Sequence, residues 1–290
     1  MTASTAIFLN EGAGSARSER VRRTVELARL LLRADLHVTA TRDPEVLAAW
    51  MRERLGAYTT AVVAGGDGSL GVAYNVIAGP DTVIGYIPAG FGNATAHLLR
   101  LPRNPAALVE VLFRADARPV DLVRVDSRLA LFAGAGWDAR VAGRYADAGA
   151  RRFIGWASAV AQSLPDLVRR PSVRVEADQR VVHEGPMELA VVGTTPWFGR
   201  GLLVNPGARV DADAMTLRVY RGPLPSFVLE TMRWVARRQP SAQAISATVV
   251  RLSSLDGGVI PVQADGDLLG EREAWTFEIA PAAVRLIGAW

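Results

Sequence analysis

The chain contains neither cysteine nor lysine, and all 33 of its basic side chains belong to arginine. Without cysteine there is no disulfide, no thiolate nucleophile and no cysteine-bound zinc. Without lysine there is no P-loop lysine, no protein-kinase strand lysine and no Schiff-base chemistry. A phosphate-binding site in this sequence must therefore use backbone amides, arginine or a metal ion.

The charge is also low, and long apolar runs are missing. A net charge of +4 over 290 residues, with the arginines dispersed, does not favour nucleic acid as a partner. No apolar run approaches the roughly 18 residues that span a bilayer. The first residues, "MTASTAIFLN", have no basic segment before the apolar run. We therefore expect no signal peptide and a cytoplasmic protein.

Strand and helix patterns alternate over residues 1–117. This alternation predicts an α/β domain, in which a parallel sheet is covered by helices. Asp43 is the candidate cap of one of these helices. The predicted strands are 6–10, 37–41, 60–64 and 83–87, and the predicted helices include 18–34, 44–55 and a segment ending near residue 78.

The pattern changes after about residue 118 to short alternating runs such as "SVRVEAD", "ELAVVGT" and "WTFEIA". Such runs, bounded by turn residues, predict an antiparallel β-sandwich. Helical patterns interrupt them at 141–169 and 223–238. We therefore expect two domains, an α/β domain over 1–117 and a β-sandwich over 118–290.

Three glycine-containing turns follow strands in the first domain: "EGAGSA", "GGDGS" and "PAGFGNATAHL". The carboxyl ends of parallel strands meet at one edge of a sheet, so we expect these turns to gather there. Glycine lets backbone N–H groups approach a phosphate closely. Asp67 in the second turn would repel an anion unless it serves a metal ion or accepts a proton. A chance match to a dinucleotide-binding pattern, "GAGWDA" at 134–139, lies among predicted strands and is disfavoured.

The second turn closely resembles the GGDG motif of the diacylglycerol kinase, sphingosine kinase and NAD kinase superfamily. The third turn is similar to the corresponding loop of sphingosine and ceramide kinases. Further similar segments follow in order and extend the resemblance over nearly the whole chain: "PVDLVRVD", "GAGWDARV", "VNPGARVDADAMTLRVY" and "VQADGDLLGE". The resemblance implies the same two-domain architecture, with the active site in the cleft between the domains.

The resemblance also implies a function: an ATP- and Mg²⁺-dependent kinase that phosphorylates a hydroxyl of a diacylglycerol- or sphingosine-like lipid. Asp213 would bind Mg²⁺ with the carbonyls of Val210 and Met215, and Asp121 would join the acidic network around it. Either Asp67 or Asp267 would be the general base. ATP would be held by Asn10, Gly14, Ser15, Thr41, Gly65, Gly66, Gly68, Ser69, Gly90 and Asn93.

The chain departs from the family pattern at several positions. Phe91 stands where the family has Thr or Ser, and Ala94 stands where bacterial diacylglycerol kinases have Asp. Ala73 replaces a usual Glu, and "DGD" at 265–267 replaces "DGE". Two alternatives therefore stay open. One is a kinase for a soluble or natural-product alcohol, and the other is a non-catalytic lipid- or nucleotide-binding relative.

An apolar segment bracketed by arginine pairs, "RRFIGWASAVAQSLPDLVRR", occupies residues 151–170. This pattern is typical of an interfacial helix at a membrane surface and equally of a helix that covers the sandwich. The resemblance places the acceptor pocket in this half, which makes Phe153, Ile154, Trp156 and Trp197 candidate lining residues. An exposed sandwich edge also leaves a homodimer open.

Overall fold

A computed structural model of the protein describes residues 4–56, 58–79, 81–147, 153–167, 170–222 and 224–290. Arg151, Arg152 and Arg169 lie outside the described residues, as do the side chains of Phe153, Ile154 and Trp156. The predictions for that segment as a membrane helix or pocket lining are therefore not tested.

Strands and helices alternate through the first 125 residues, as the pattern predicts. The cap predicted at Asp43 is present, because its carboxylate accepts from Glu45 N and Val46 N. The elements are β1 Thr5–Asn10, α1 Glu19–Leu32, β2 Asp35–Thr39, α2 Pro44–Leu55, β3 Thr60–Gly65, α3 Asp67–Ile77, β4 Val83–Pro88, α4 Ala94–Leu98, α5 Pro105–Arg114 and β5 Ala117–Val125.

Strands dominate the remainder of the chain. The elements are β6 Arg128–Ala130, β7 Phe132–Gly136, α6 Trp137–Asp147, α7 Phe153–Ser163, a 3₁₀ turn Leu164–Leu167, β8 Ser172–Ala177, β9 Arg180–Pro186, β10 Leu189–Gly193, β11 Trp197–Phe198, a 3₁₀ turn Gly199–Gly201, β12 Leu202–Leu203, β13 Met215–Tyr220, α8 Leu224–Val235, β14 Ile245–Ala247, β15 Val249–Ser254, β16 Ile260–Ala264, β17 Asp267–Arg272 and β18 Ala274–Ile287.

The chain forms two compact units. The first unit contains Met1–Val120, Gly199–Gly201 and Ala282–Trp290, and the second contains Asp121–Phe198 and Leu202–Pro281. The last strand, β18, therefore contributes its first part to the second unit and its end to the first.

The first unit contains the predicted parallel sheet, in the order β2-β1-β3-β4. Beside β4, Arg285 and Leu286 of β18 add a further parallel segment, opposite Val83 and Ile84. The strand pattern assigned these C-terminal residues to the sandwich, whereas in the structure they complete the sheet of the first unit. The predicted strand 37–41 lies two residues earlier, at Asp35–Thr39.

One core cluster of the first unit lies between its sheet and helices α1 and α5. Val25 of α1 and Leu108 of α5 pack in one cluster with Ile7 and Val62 of the central strands. Ser18 accepts from Val21 N at the start of α1, and Asn104 accepts from Ala107 N at the start of α5. This packing holds the carboxyl ends of β1, β3 and β4 at one edge.

The second unit consists of two antiparallel sheets and confirms the predicted sandwich. One sheet has the order β18-β15-β8-β9, and the other has the order β14-β13-β10-β7-β16-β17. Val175, Val192, Leu217, Val250 and Phe277 are among the buried side chains of their shared core. Within the described residues, no helix is both long and apolar enough to cross a membrane.

Candidate functional site

The three glycine turns of the first unit contact one another. A Cβ added to Gly90 would lie 2.6 Å from Gly66 Cα, so the second and third turns touch backbone to backbone. The first turn joins them through Ser15 N, which donates to Ala89 O at 2.8 Å. A Cβ on Gly14 would lie 3.7 Å from Phe91 N. The expected gathering of the turns at one sheet edge is therefore present.

The third turn is closed by a single side chain, that of Asn93. Its Oδ1 accepts from Gly90 N at 2.9 Å, and its Nδ2 donates to Gly90 O at 3.0 Å. Tyr86 Oη, at 3.1 Å, donates to the same Oδ1. Asn93 itself adopts the left-handed conformation, with φ 47°. These contacts fix the shape of the turn before any ligand arrives.

Neither packing nor backbone conformation explains the identity of Gly68 in the second turn. A Cβ added there would meet no heavy atom within 4 Å outside its own helix backbone, and its φ is not in the left-handed region. Gly68 lies in the first turn of α3, whose N-cap Gly66 provides no side-chain hydrogen bond. A side chain at position 68 would thus point into open space beside the uncapped start of this helix, and such a helix start is suited to receive a phosphate.

Polar side chains tie the first two turns together. Asn10, buried at the end of β1, donates from Nδ2 to Ser69 Oγ at 3.1 Å and accepts at Oδ1 from Gly12 N at 3.0 Å. Thr41 lies just beyond β2, and a Cβ on Gly12 would come within 2.5 Å of its carbonyl oxygen. Asn10, Thr41 and Ser69 therefore belong to one network beside the glycine turns.

Asp67 links the second turn to α4. Its Oδ2 accepts from Ala94 N at 3.0 Å, and its Oδ1 accepts from Thr95 N at 3.2 Å. Burial raises the pKa of the Asp67 carboxyl, and the backbone N–H groups of Ala94 and Thr95 oppose that rise. The carboxylate thus accepts hydrogen bonds from the first N–H groups of α4, a role that the sequence did not predict.

Sequence reasoning also missed Arg20, in the first turn of α1. Its Nη2 donates to Pro88 O at 2.8 Å, at the end of β4. In a chain without lysine, this places a permanent cation beside the third turn. The available signal was weak, because arginines are spread along the whole of α1.

In the second unit, Asp121 is bonded to the predicted metal loop in both directions. Asp121 N donates to Val210 O at 2.7 Å, and Asp213 N donates to Asp121 Oδ2 at 2.8 Å. Asp121 is buried, whereas Asp213 is exposed and left-handed, with φ 51°. Met215 follows as the first residue of β13 and is buried. Asp121 therefore shapes the loop from Val210 to Asp213.

The donor atoms of this loop fit Mg²⁺. In the part of the chain that the structure describes, no group of three or more His, Cys, Asp or Glu could hold a metal. The predicted set instead has one carboxylate, that of Asp213, together with carbonyl oxygens. Mg²⁺ in phosphate-transfer sites is often held by one or two carboxylates plus water and phosphate oxygens. A carbonyl that accepts one hydrogen bond, as Val210 O does, keeps a second lone pair.

Asp267 begins β17 and is paired with Arg128. Its Oδ2 lies 2.5 Å from Arg128 Nη2, and its side chain is partly exposed. The neighbouring Asp265 accepts at Oδ1 from Leu131 N and Phe132 N, and its own N donates to Phe132 O at 3.0 Å. The "DGD" turn is thus fixed to Arg128 of β6 and to the start of β7.

A buried chain of hydrogen bonds lies beneath the "DGD" turn. Gly266 N donates to Gln263 Oε1 at 2.7 Å, and Gln263 Nε2 donates to Asp138 Oδ2 at 2.9 Å. Burial raises the pKa of Asp138 to about 7. A Cβ on Gly134 would lie 1.7 Å from Asp138 Oδ2, and one on Gly136 would lie 2.5 Å from a carbonyl oxygen. Packing therefore explains the glycines of "GAGWDA".

Two family models match the chain and together cover most of its length. The family model of the diacylglycerol kinase catalytic domain matches residues 4–125. That of the YegS C-terminal NAD kinase beta sandwich-like domain matches residues 132–288. The chain belongs to the diacylglycerol kinase-like family. The predicted family and the predicted two-domain fold are thereby confirmed.

Individual relatives agree with this membership. The chain is 25% identical over 239 residues to the diacylglycerol kinase of Mycobacterium tuberculosis strain H37Rv, covering 78% of this chain and 75% of that protein. It is 26% identical over 225 residues to the diacylglycerol kinase of Staphylococcus carnosus strain TM300, covering 75% of this chain and 72% of that protein. A crystal structure of a diacylglycerol kinase from Bacillus anthracis strain Sterne superposes with a TM-score of 0.74 at 17% identity. The superposition covers 98% of this chain and 96% of that chain, and it shows the same fold.

Proposed function

We propose that the protein transfers the γ-phosphoryl group of ATP to a hydroxyl of a lipid acceptor, diacylglycerol- or sphingosine-like, in a Mg²⁺-dependent reaction. Membership in a kinase family supports the reaction class. The observation that carries the nucleotide site is Gly68, whose missing side chain leaves open space at the uncapped start of α3. A phosphate there would accept from backbone N–H groups at the positive end of the helix dipole.

Positioning and charge neutralisation supply most of the catalysis in phosphoryl transfer. The turn amides would hold the phosphates, together with Asn10, Gly14, Ser15, Thr41, Gly65, Gly66, Ser69, Gly90 and Asn93. When bound at Asp213 and the carbonyls of Val210 and Met215, Mg²⁺ would neutralise phosphate charge. Asp121 would hold that loop in shape through its hydrogen bonds to Val210 and Asp213.

Of the two candidates for the general base, we choose Asp267 as the group that accepts the proton of the acceptor hydroxyl. We give Asp67 a positioning role. Both oxygens of Asp67 already accept N–H groups of α4, and this directs them toward the start of that helix. The Asp267 side chain is partly exposed, and Arg128 holds it in one orientation from a single oxygen. The other oxygen can accept the proton of an acceptor hydroxyl.

The test is transfer of labelled phosphate from ATP to a panel of acceptors that contains diacylglycerol, ceramide, sphingosine and water-soluble alcohols. Transfer to a lipid that disappears with EDTA is the expected result. Transfer to soluble alcohols alone would replace the lipid acceptor by the alternative class. ATP binding without transfer to any acceptor would contradict the kinase assignment.

Variants of Asp267 and Arg128 test whether Asp267 is the general base. Asp267→Asn should lower kcat by roughly 10²- to 10⁴-fold with little change in the KM for ATP, because general base catalysis contributes on this scale. Asp267→Glu should restore much of the rate, since it keeps the carboxylate. Arg128→Gln is the matched control that releases Asp267 without removing it. An Asp267→Asn enzyme with wild-type kcat would exclude this residue as the base.

A further inference from the structure

Helix α8 carries apolar side chains on two opposite faces. Phe227 and Trp234 point inward, where they pack with Tyr220, Leu189 and Val204 of the second unit. At 3.6 residues per turn, the mean direction of these inward positions lies roughly 140° from that of a second set of apolar side chains on the same helix.

The outward set consists of Val228, Leu229, Met232 and Val235, which we name the α8 face. Their exposed fractions are 48%, 51%, 64% and 66%. On a helical projection they occupy an arc of about 120°. Single exposed apolar residues are ordinary, whereas a continuous stripe on one helix face is typical of a surface that meets a partner.

The exposed charges of the segment 221–238 have one sign. The acidic residue within 221–238 is Glu230, which is buried and bonded to Arg233 and to Ser241. The exposed charges belong to Arg221 before the helix and to Arg237 and Arg238 after it. The apolar stripe is therefore bordered by cations at both ends of α8.

We propose that the α8 face docks on an anionic lipid membrane surface. An apolar face set among arginines matches the boundary between acyl chains and negatively charged headgroups. A second copy of the chain fits less well. A two-fold pairing along antiparallel α8 helices would bring the Arg221 end of one copy against the Arg238 end of the other. This surface lies outside the 151–170 segment, whose sequence pattern is equally typical of an interfacial helix and of a helix that covers the sandwich.

Sedimentation with lipid vesicles, without ATP, tests this surface independently of any kinase activity. The probes are phosphatidylcholine vesicles with and without phosphatidylglycerol. The wild-type protein should bind the anionic vesicles and dissociate as salt rises, because salt screens the arginines. Leu229→Ser combined with Met232→Ser should weaken binding by at least about tenfold, since two apolar side chains are lost from the interface.

Two further variants make the result specific. Arg221→Gln combined with Arg238→Gln should weaken binding to anionic vesicles by several-fold and remove most of its salt dependence. Leu30→Ser combined with Leu31→Ser is the matched control, because these leucines of α1 are 77% and 50% exposed and lie outside the α8 face. Its binding should equal that of the wild type, and melting curves establish that all variants are folded.

The proposal is overturned if wild-type protein does not bind anionic vesicles, or if the α8 variants bind as well as the α1 control. A wild-type dimer that the Leu229→Ser, Met232→Ser variant converts to monomers, without vesicle binding, would instead assign the α8 face to self-association. Failure of vesicle binding would leave the kinase assay unaffected, so the two proposals can fail separately.

Discussion

Asp67 Oδ2 accepts a hydrogen bond from the backbone N–H of Ala94 at 3.0 Å, across 27 positions of sequence. The GGDG aspartate therefore fastens the second glycine turn to the helix that follows the third turn. In this arrangement the carboxylate of the second glycine turn acts first on the protein's own backbone, and the N–H groups of α4 offset part of its charge.

This role of Asp67 predicts a loss of positioning when the carboxylate is removed. Asp67→Ala should lower the free energy of unfolding by about 1 kcal/mol, as loss of a helix cap does, and should raise the KM for ATP. Asp67→Asn keeps one acceptor and should retain part of the stability. Thermal unfolding and initial-rate kinetics measure both effects. A large fall in kcat at unchanged KM and stability would transfer the base role from Asp267 to Asp67.

Replacement by alanine should change the stability of the fold in opposite directions at two glycines of the second and third turns. Gly68→Ala should stabilise the fold by about 0.5 kcal/mol, because alanine suits a helix better and meets no neighbour. It should nevertheless weaken ATP binding by roughly tenfold, or about 1.4 kcal/mol, since the methyl group occupies the phosphate space.

Gly90→Ala is the matched comparison. Its Cβ would lie 2.6 Å from Gly66 Cα, so the turns must separate, at about 1–3 kcal/mol of stability. Denaturant melts and calorimetric ATP titration distinguish the two variants. Undiminished ATP affinity in Gly68→Ala would remove the main support for the nucleotide site.

Asp121 should control the Mg²⁺ requirement through the loop that it holds. Asp121→Ala leaves Asp213 N–H without its acceptor, at a cost of about 1–3 kcal/mol, and should raise the Mg²⁺ concentration for half-maximal activity several-fold. Asp211→Ala is the control in the same loop. That carboxylate is exposed and pairs with exposed Arg209, so its loss should cost less than about 1 kcal/mol. Equal Mg²⁺ dependence of the two variants would contradict the role of Asp121.

Asp138 should make stability fall as the pH rises. Its pKa is raised to about 7 in the folded protein, whereas an unfolded Asp titrates near 4. Between these values the folded chain holds a proton that the unfolded chain has lost. The contribution of Asp138 is therefore fully present below about pH 4 and is lost as the pH rises toward 7, by up to about 1.4 kcal/mol per pH unit.

Asp138→Asn cannot titrate and should lack this slope in denaturant melts between about pH 5 and about pH 7.5. Asp178→Asn provides a contrast of opposite sign. Backbone and side-chain donors from Val249 and Thr248 lower the pKa of Asp178, so its contribution is lost only as the pH falls into the acid range. Parallel pH profiles for wild type and Asp138→Asn would show that this carboxyl is not perturbed as described.

Helices and strands were predictable from the sequence where the residues that start and end them lie within or next to the segment itself. Helix α2 occupies 44–55, as predicted, because Asp43 caps it and Pro44 suits its first turn. Strand β2 begins two residues before its predicted start. Arg33 ends α1 in the left-handed conformation, and the chain enters the strand at Asp35, before the apolar pattern becomes visible.

The contacts between distant segments were not predictable from the sequence. Glycine patterns indicated three turns at one sheet edge, but not that Gly66 and Gly90 touch, because that distance depends on the twist of the sheet. Arg285 and Leu286 continue the same strand pattern as the residues before them. Nothing in that pattern distinguishes pairing with β4 from pairing within the sandwich.

The return of residues 282–287 to the first unit has a consequence for synthesis on the ribosome. The first unit cannot complete its sheet when its own helices and other strands have emerged, because the neighbour of β4 follows the whole sandwich in the sequence. Until then the edge of β4 is an open strand, a site for wrong pairing. The sheet of the first unit therefore gains its last strand only after the sandwich has been translated.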